Sequence, residues 1–188
     1  AKGLVDRDII RVITPGTVIA ASMLEEGKNN YICAIYADSA AFALCLCDIS
    51  TGEVYAASFP AGEEGLGHLQ NELGRFHPAE AVLSSGAYNT DGLVPFLKDR
   101  LDCLCENGGE ARFRIGTAQP LAEKQFKTGL TDVPVQDEAV IQAAGGLLAY
   151  LYETQKTDLS HISHFSYYTM GQFMELDLTA RQTLELTA

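Results

Sequence analysis

Three short apolar runs follow one another with almost no chain between them: "NNYICAIYAD" (29–38), "AAFALCLCD" (40–48) and "GEVYAASF" (52–59). This spacing constrains the fold more than any other feature. A parallel return between strands needs a dozen or more residues, so runs this close can pair only as antiparallel neighbours. The first two are apolar at successive positions, as expected of strands covered on both faces of a sheet. The third places Tyr55, Ala57 and Phe59 on one face. An antiparallel meander is predicted.

Beyond residue 60 the chain alternates between helix and strand patterns. In "GEEGLGHLQNELGRFHP", Leu66, Leu69, Leu73 and Phe76 recur at helical spacing, acids occupy the first turn, and Pro78 stops the run. "EAVLS" (80–84) reads as a strand, "NTDGLVPFLKDRL" (89–101) as a short helix and "DCLCE" (102–106) as a strand, an alternation that calls for parallel crossovers. "NGGEARF" reads as loop, and 116–136, with Pro120, Gly129 and Pro134, as mixed helix and loop. From Asp137 the character changes. Val140, Ala143, Ala144, Leu147, Leu148 and Leu151 mark a long apolar helix with Asp137 as its cap. Gly145 and Gly146 inside it each cost about 1 kcal/mol against Ala, which predicts close approach of another element. Beyond it, 155–188 shows no completing partner pattern, and the run at Leu178–Leu186 reads as a helix start. With no initiating Met and a turn-forming "ITPGT" after Ala1–Gly16, the chain is expected to be a piece of a longer protein. Three meandering strands followed by helix, strand, helix and strand give an α/β fold class: an RNase H-like mixed sheet, followed by the beginning of an all-helical domain.

Composition excludes several functions. The net charge of −12, from 13 basic and 25 acidic residues, repels a polyanion, so direct DNA or RNA binding by this chain alone is not expected. The longest apolar runs fall far short of the ~20 residues of a membrane helix, and no charged-then-apolar leader opens the chain, which implies a soluble, cytoplasmic segment. Cys45 with Cys47, and Cys103 with Cys105, are C-x-C pairs in apolar alternating runs, and Cys33 stands apart; buried, reduced thiols acting as small hydrophobes fit better than metal ligands. His68, His77, His161 and His164 have no carboxylate or thiol at ligand spacing. No metal and no cofactor is expected in this chain.

The stretch "CDISTGEV" (47–54) carries the sharpest chemical question, because an Asp leaving a strand can hold a metal, steer a phosphate or close a turn. Phosphate cradles need several glycine amides or a Lys, and this loop has one Gly and no cation. Asp48, Ser50, Thr51 and Gly52 are all turn formers, which favours a hairpin. An RNase H-like metal-dependent phosphodiesterase would need an Asp in the middle of its first strand, where Ile32, Cys33, Ala34 and Ile35 stand. The alternative that remains for such chemistry is Asp38, Asp48, Glu72 and Glu80. Asp177 and Arg181, like Arg181 and Glu185, lie four apart and read as helix-face ion pairs.

Together, "VITPGT" (12–17), "DISTGE" (48–53), "YLYETQKTDLSHI" (150–162) and "FMELDLTARQTLEL" (173–186) resemble the MutS family of bacterial DNA mismatch repair proteins over essentially the whole chain. The last segment usually reads "LDxxTRRNLEL" in the family; here Arg181, Leu184 and Glu185 match, and Ala180, Gln182 and Thr183 depart. The resemblance makes Asp48, Gly52, Gln155, Asp177, Arg181 and Glu185 structural signature positions. It implies that 1–16 links from a mismatch-binding domain, 17–136 is an RNase H-like connector, and 137–188 opens a helical core or lever domain. It further implies no catalysis here. The family's Phe-x-Glu mismatch wedge, its contact with mismatched DNA, its ATP and magnesium site and its homodimer interface all belong to other domains; "FME" (173–175) copies the wedge only in letters, with Phe173 expected in a core. The connector is implied to relay between DNA-binding and ATPase parts and to offer MutL a surface before the "QF" pair, within Thr117–Phe126, with Gln119, Leu121, Glu123 and Gln125 as candidate contacts.

Overall fold

The computed structural model describes residues 30–155 and 157–169. The expected lead-in over 1–16, Phe173 and the signature positions Asp177, Arg181 and Glu185 lie outside the described residues. The meander forms as β1 (Tyr31–Ala37), β2 (Ala41–Asp48) and β3 (Glu53–Pro60), paired antiparallel with Tyr31 opposite Asp48 and Cys47 opposite Val54. The first connection is closed by Asp38, whose Oδ1 accepts from the amides of Ala40 at 2.8 Å and Ala41 at 2.9 Å.

Helix α1 (Glu63–Phe76) ends where His77 turns left-handed at φ 51° and its N–H reaches the Leu73 carbonyl at 2.7 Å, one residue before Pro78. Strand β4 (Glu80–Ser84) then runs parallel to β1, as a strand–helix–strand connection requires. The helix expected over 89–101 is broken into a turn at Leu93–Pro95 and a π-helical turn at Phe96–Arg100, because Gly92 at φ 84° can start the segment no earlier, and burial of Leu93 and Leu97 anchors it. Strand β5 (Leu104–Gly109) continues through the glycines that read as loop, since β4 offers a parallel ladder along that length. Helix α2 (Ile115–Phe126) runs unbroken through Pro120, which stands exposed on its outer side. Helix α3 spans Glu138–Thr154, and a last short strand, β6 (His164–Tyr167), pairs parallel to β3. The sheet order is β5-β4-β1-β2-β3-β6. Its first five strands are the RNase H-like arrangement.

Each face of the sheet has its own core. On one, Tyr31, Ile35, Phe42, Leu44, Leu46, Phe59 and Leu83 meet Leu69 and Leu73 of α1. On the other, the mostly smaller Ile32, Ala34, Ala43, Cys45, Cys47, Val54, Ala56 and Val82 meet α3. Helix α2 lies on the far side of α3. Ala118 stands against Gly145, and Gln125 bonds Tyr152, seven residues further along each helix, so α2 and α3 run side by side in the same direction.

This layering corrects the division expected at residue 137. Helix α3 does not open a separate unit; it is the layer between sheet and α2, which is why Ala139, Val140, Ala143 through Leu148, Tyr150 and Leu151 are all buried. A helix covered on two sides reads as apolar all round. The β6 strand after it completes the same sheet. The expected close approach at the glycine pair is met: a Cβ on Gly145 would lie 2.3 Å from Ala118 Cα, and one on Gly146 would lie 2.3 Å from the Phe113 ring. Asp137 does not cap α3 through its side chain; its Oδ2 accepts from the Tyr167 hydroxyl instead.

Candidate functional site

The turn at 48–52 is built from within. Asp48 Oδ1 accepts from the Ser50 amide at 3.0 Å and the Ser50 hydroxyl at 2.6 Å, and the Gly52 amide donates to the Asp48 carbonyl at 2.8 Å. Gly52 sits at φ 82°, and a Cβ there would fall 2.1 Å from the His161 carbonyl oxygen. His161 in turn places Nε2 2.9 Å from the Ile49 carbonyl. Two segments that carry the resemblance, "DISTGE" and "TDLSHI", therefore meet in space. Gln155, the third described signature position, is buried where α3 ends in extended backbone, its amide on the Leu151 carbonyl at 2.8 Å.

The four carboxylates weighed for phosphodiester chemistry do not converge. Glu80 lies on the α3 face, fully buried, and accepts from the Tyr150 hydroxyl. Asp48 follows Leu46 in alternation and so belongs to the opposite face, committed to its turn. Glu72 is on α1, bonded to Arg75 at 2.8 Å. Asp38 lies beyond the other end of β1. Among the described residues no group of three His, Cys, Asp or Glu side chains could hold a metal. The thiols are free and, apart from half-buried Cys105, buried; burial raises the Cys33 and Cys45 thiols well above the ordinary range and pushes Cys47 up to about 12. Cys105 moves down because the neighbouring Cys103 thiol hydrogen-bonds to it.

The candidate contact residues on α2 divide. Gln119 and Glu123 bond each other at 2.9 Å on the exposed side. Leu121 is half-buried against the α3-side core. Gln125 is turned inward: its Nε2 donates to the Leu159 carbonyl at 2.9 Å and the Ile162 carbonyl at 2.7 Å, while its Oε1 accepts from Tyr152. It ties α2 to the 158–163 loop and has little capacity left for a partner. Beside it opens a groove of about 440 Å³, between the ends of α2 and α3 and that loop. Sequence reasoning missed the groove because its walls come from three segments with no shared pattern.

A family model for MutS domain II matches residues 30–163. Relatives described as DNA mismatch repair protein MutS align over the whole chain. The protein from Ruminiclostridium cellulolyticum is 35% identical over 187 residues, covering 100% of this chain and 21% of the relative. That from Pelotomaculum thermopropionicum is 37% identical over 189 residues, covering 100% and 22%. That from Acetivibrio thermocellus is 35% identical over 190 residues, covering 100% and 21%. The chain thus spans about a fifth of the length of the curated relatives it matches.

Proposed function

Because this chain belongs to the MutS domain II family, we propose that it is a non-catalytic connector of a mismatch repair protein, relaying movement between DNA-binding and ATPase parts and presenting the outer side of α2 to MutL. The observation that carries this reading is the dispersal of the acids. The family's RNase H-like sheet is retained, while Asp38, Asp48, Glu72 and Glu80 are spread over two faces and two ends and engaged in turns, an ion pair and a buried hydrogen bond. A two-metal hydrolase needs its carboxylates within reach of metals about 4 Å apart. On this reading ATP with magnesium and mismatched DNA are held by other parts of a longer, homodimeric, cytoplasmic protein. A sheet with a packed core on each face suits a part that must reorient as a rigid body.

The test is a calorimetric titration of the chain with the N-terminal ATPase region of MutL. Saturable binding that falls about tenfold in the Gln119→Lys, Glu123→Lys double variant supports docking on α2; binding unchanged by that variant overturns that placement, and absence of binding overturns docking by this chain. A melting temperature raised by millimolar Mg²⁺ or Mn²⁺ would instead favour the phosphodiesterase, through mass action on the folded state.

A further inference from the structure

The groove beside Gln125 is rimmed by two cations. Lys124 and Lys127 stand exposed on its rim, and among the described residues neither has a carboxylate within ion-pair distance. Arg75 and Arg112, by contrast, are paired with Glu72 and Glu153. Thr128 and Ser163 add hydroxyls, and Tyr152, 46% exposed, offers its ring as an apolar wall. Among the described residues that line the groove, Asp158 is the carboxylate: its Oδ1 accepts from the Ser160 amide at 3.0 Å and its Oδ2 from the Ser160 hydroxyl at 2.9 Å. The Lys127 amide closes the last turn of α2 on the Glu123 carbonyl. The floor of the groove is held by the two bonds from Gln125 and the one from Tyr152.

We propose that this groove receives an acidic segment of the protein partner that docks on α2, its carboxylates bound by Lys124 and Lys127 and by the hydroxyls opposite. The proposal rests on the docking reading and extends it to a second, adjoining surface. The chain's net charge of −12 selects a short segment over a nucleic acid. A continuous polyanion would meet repulsion beyond the groove, whereas a few carboxylates are held within one Debye length, about 8 Å at physiological salt, of the two cations.

The experiment compares the unmodified chain with Lys124→Glu, Lys127→Glu and with a control of equal charge change, Lys98→Glu, Arg100→Glu, exposed beside β5. With the MutL region as partner, the groove variant is expected to bind about tenfold more weakly and the control less than twofold, the range that two exposed charge pairs supply. Equal losses mean that net charge alone acts, and they overturn the groove. If binding is kept in the groove variant, the groove is overturned while docking on α2 stands. If the unmodified chain does not bind MutL, the docking reading fails, and a hexaglutamate peptide then tests the groove by itself. Amide shifts confined to Lys124, Lys127, Ser160 and Ser163, larger than those from inorganic phosphate at equal concentration, support it. Their absence, or equal shifts from phosphate, overturns it.

Discussion

The two faces of the sheet are packed by opposite means. On the α1 side, large side chains fill the space: Phe42, Leu44, Leu46 and Phe59 from the sheet against Leu69 and Leu73 from the helix. An aromatic group closes one end, with Tyr31 edge-on to Phe76 at 5.1 Å and Tyr55 5.9 Å from the same ring. On the α3 side, the space is removed. Alanines and cysteines on the sheet let α3 come close, and Gly145 lets α2 come close in turn. One face should therefore suffer from truncation and the other from enlargement, since a cavity and an overpacked contact are distinct defects.

The largest effect is expected where a big side chain is removed from the α1 face. Leu44→Ala or Leu69→Ala, both fully buried, should lower unfolding free energy by about 3–4 kcal/mol in urea titrations. A loss near 1 kcal/mol would show that α1 collapses onto the sheet and that the faces are not so different. Gly145→Ala comes next, at about 2–3 kcal/mol destabilising, although Ala is the better helix former by about 1 kcal/mol. Its added Cβ meets backbone as well as the Ala118 methyl, so Ala118→Gly should restore only part of the loss. A stabilised Gly145→Ala variant would refute the close approach.

Tyr150→Phe should cost about 1–3 kcal/mol, because it removes the hydroxyl that α3 donates to the buried Glu80. A smaller, pH-dependent effect is expected at Tyr167. Burial, then the hydrogen bond to Asp137, pushes its hydroxyl up to about 12 from an ordinary 10.0. A group whose folded pKa is raised gives its stability in full below the unfolded value, so this contribution is present below pH 10 and lost as pH rises through about 12. Tyr167→Phe should flatten part of that alkaline loss in melts from about pH 9 to 12. The smallest effect is expected for Arg112→Ala, which breaks the surface pair with Glu153 and the stacking 5.8 Å above Tyr150; below about 1 kcal/mol is expected, and less in high salt.

Legibility followed the range of the interactions. The strands at 31–60 lie within a residue or two of where alternation and spacing placed them, and Asp48 closes the turn that its own neighbours imply. The close approach at Gly145 and Gly146 was readable from their cost in a helix. Strand β6 was not readable: His164–Tyr167 is short and half-polar, and it is a strand because β3 has an edge to pair with. The apolar run of α3 was visible, but an all-round apolar helix in a separate bundle and one trapped between a sheet and a second helix give the same pattern. Of the residues offered for docking, Gln125 was readable as polar and not as inward, since its acceptors lie 34 and 37 residues away.

Local order thus determined the meander, its two-faced alternation, α1 and the self-closed turn at 48–52, because each needs only neighbours in the chain. Tertiary structure alone decided that α3 covers the sheet, that His161 returns to Ile49 across 112 residues, that Tyr150 reaches Glu80 across 70, and that a groove forms beside Gln125. Periodicity records that a side chain is to be buried. It carries no record of what buries it, because many distant partners satisfy the same hydrophobic and hydrogen-bonding demand and only the packed chain selects among them.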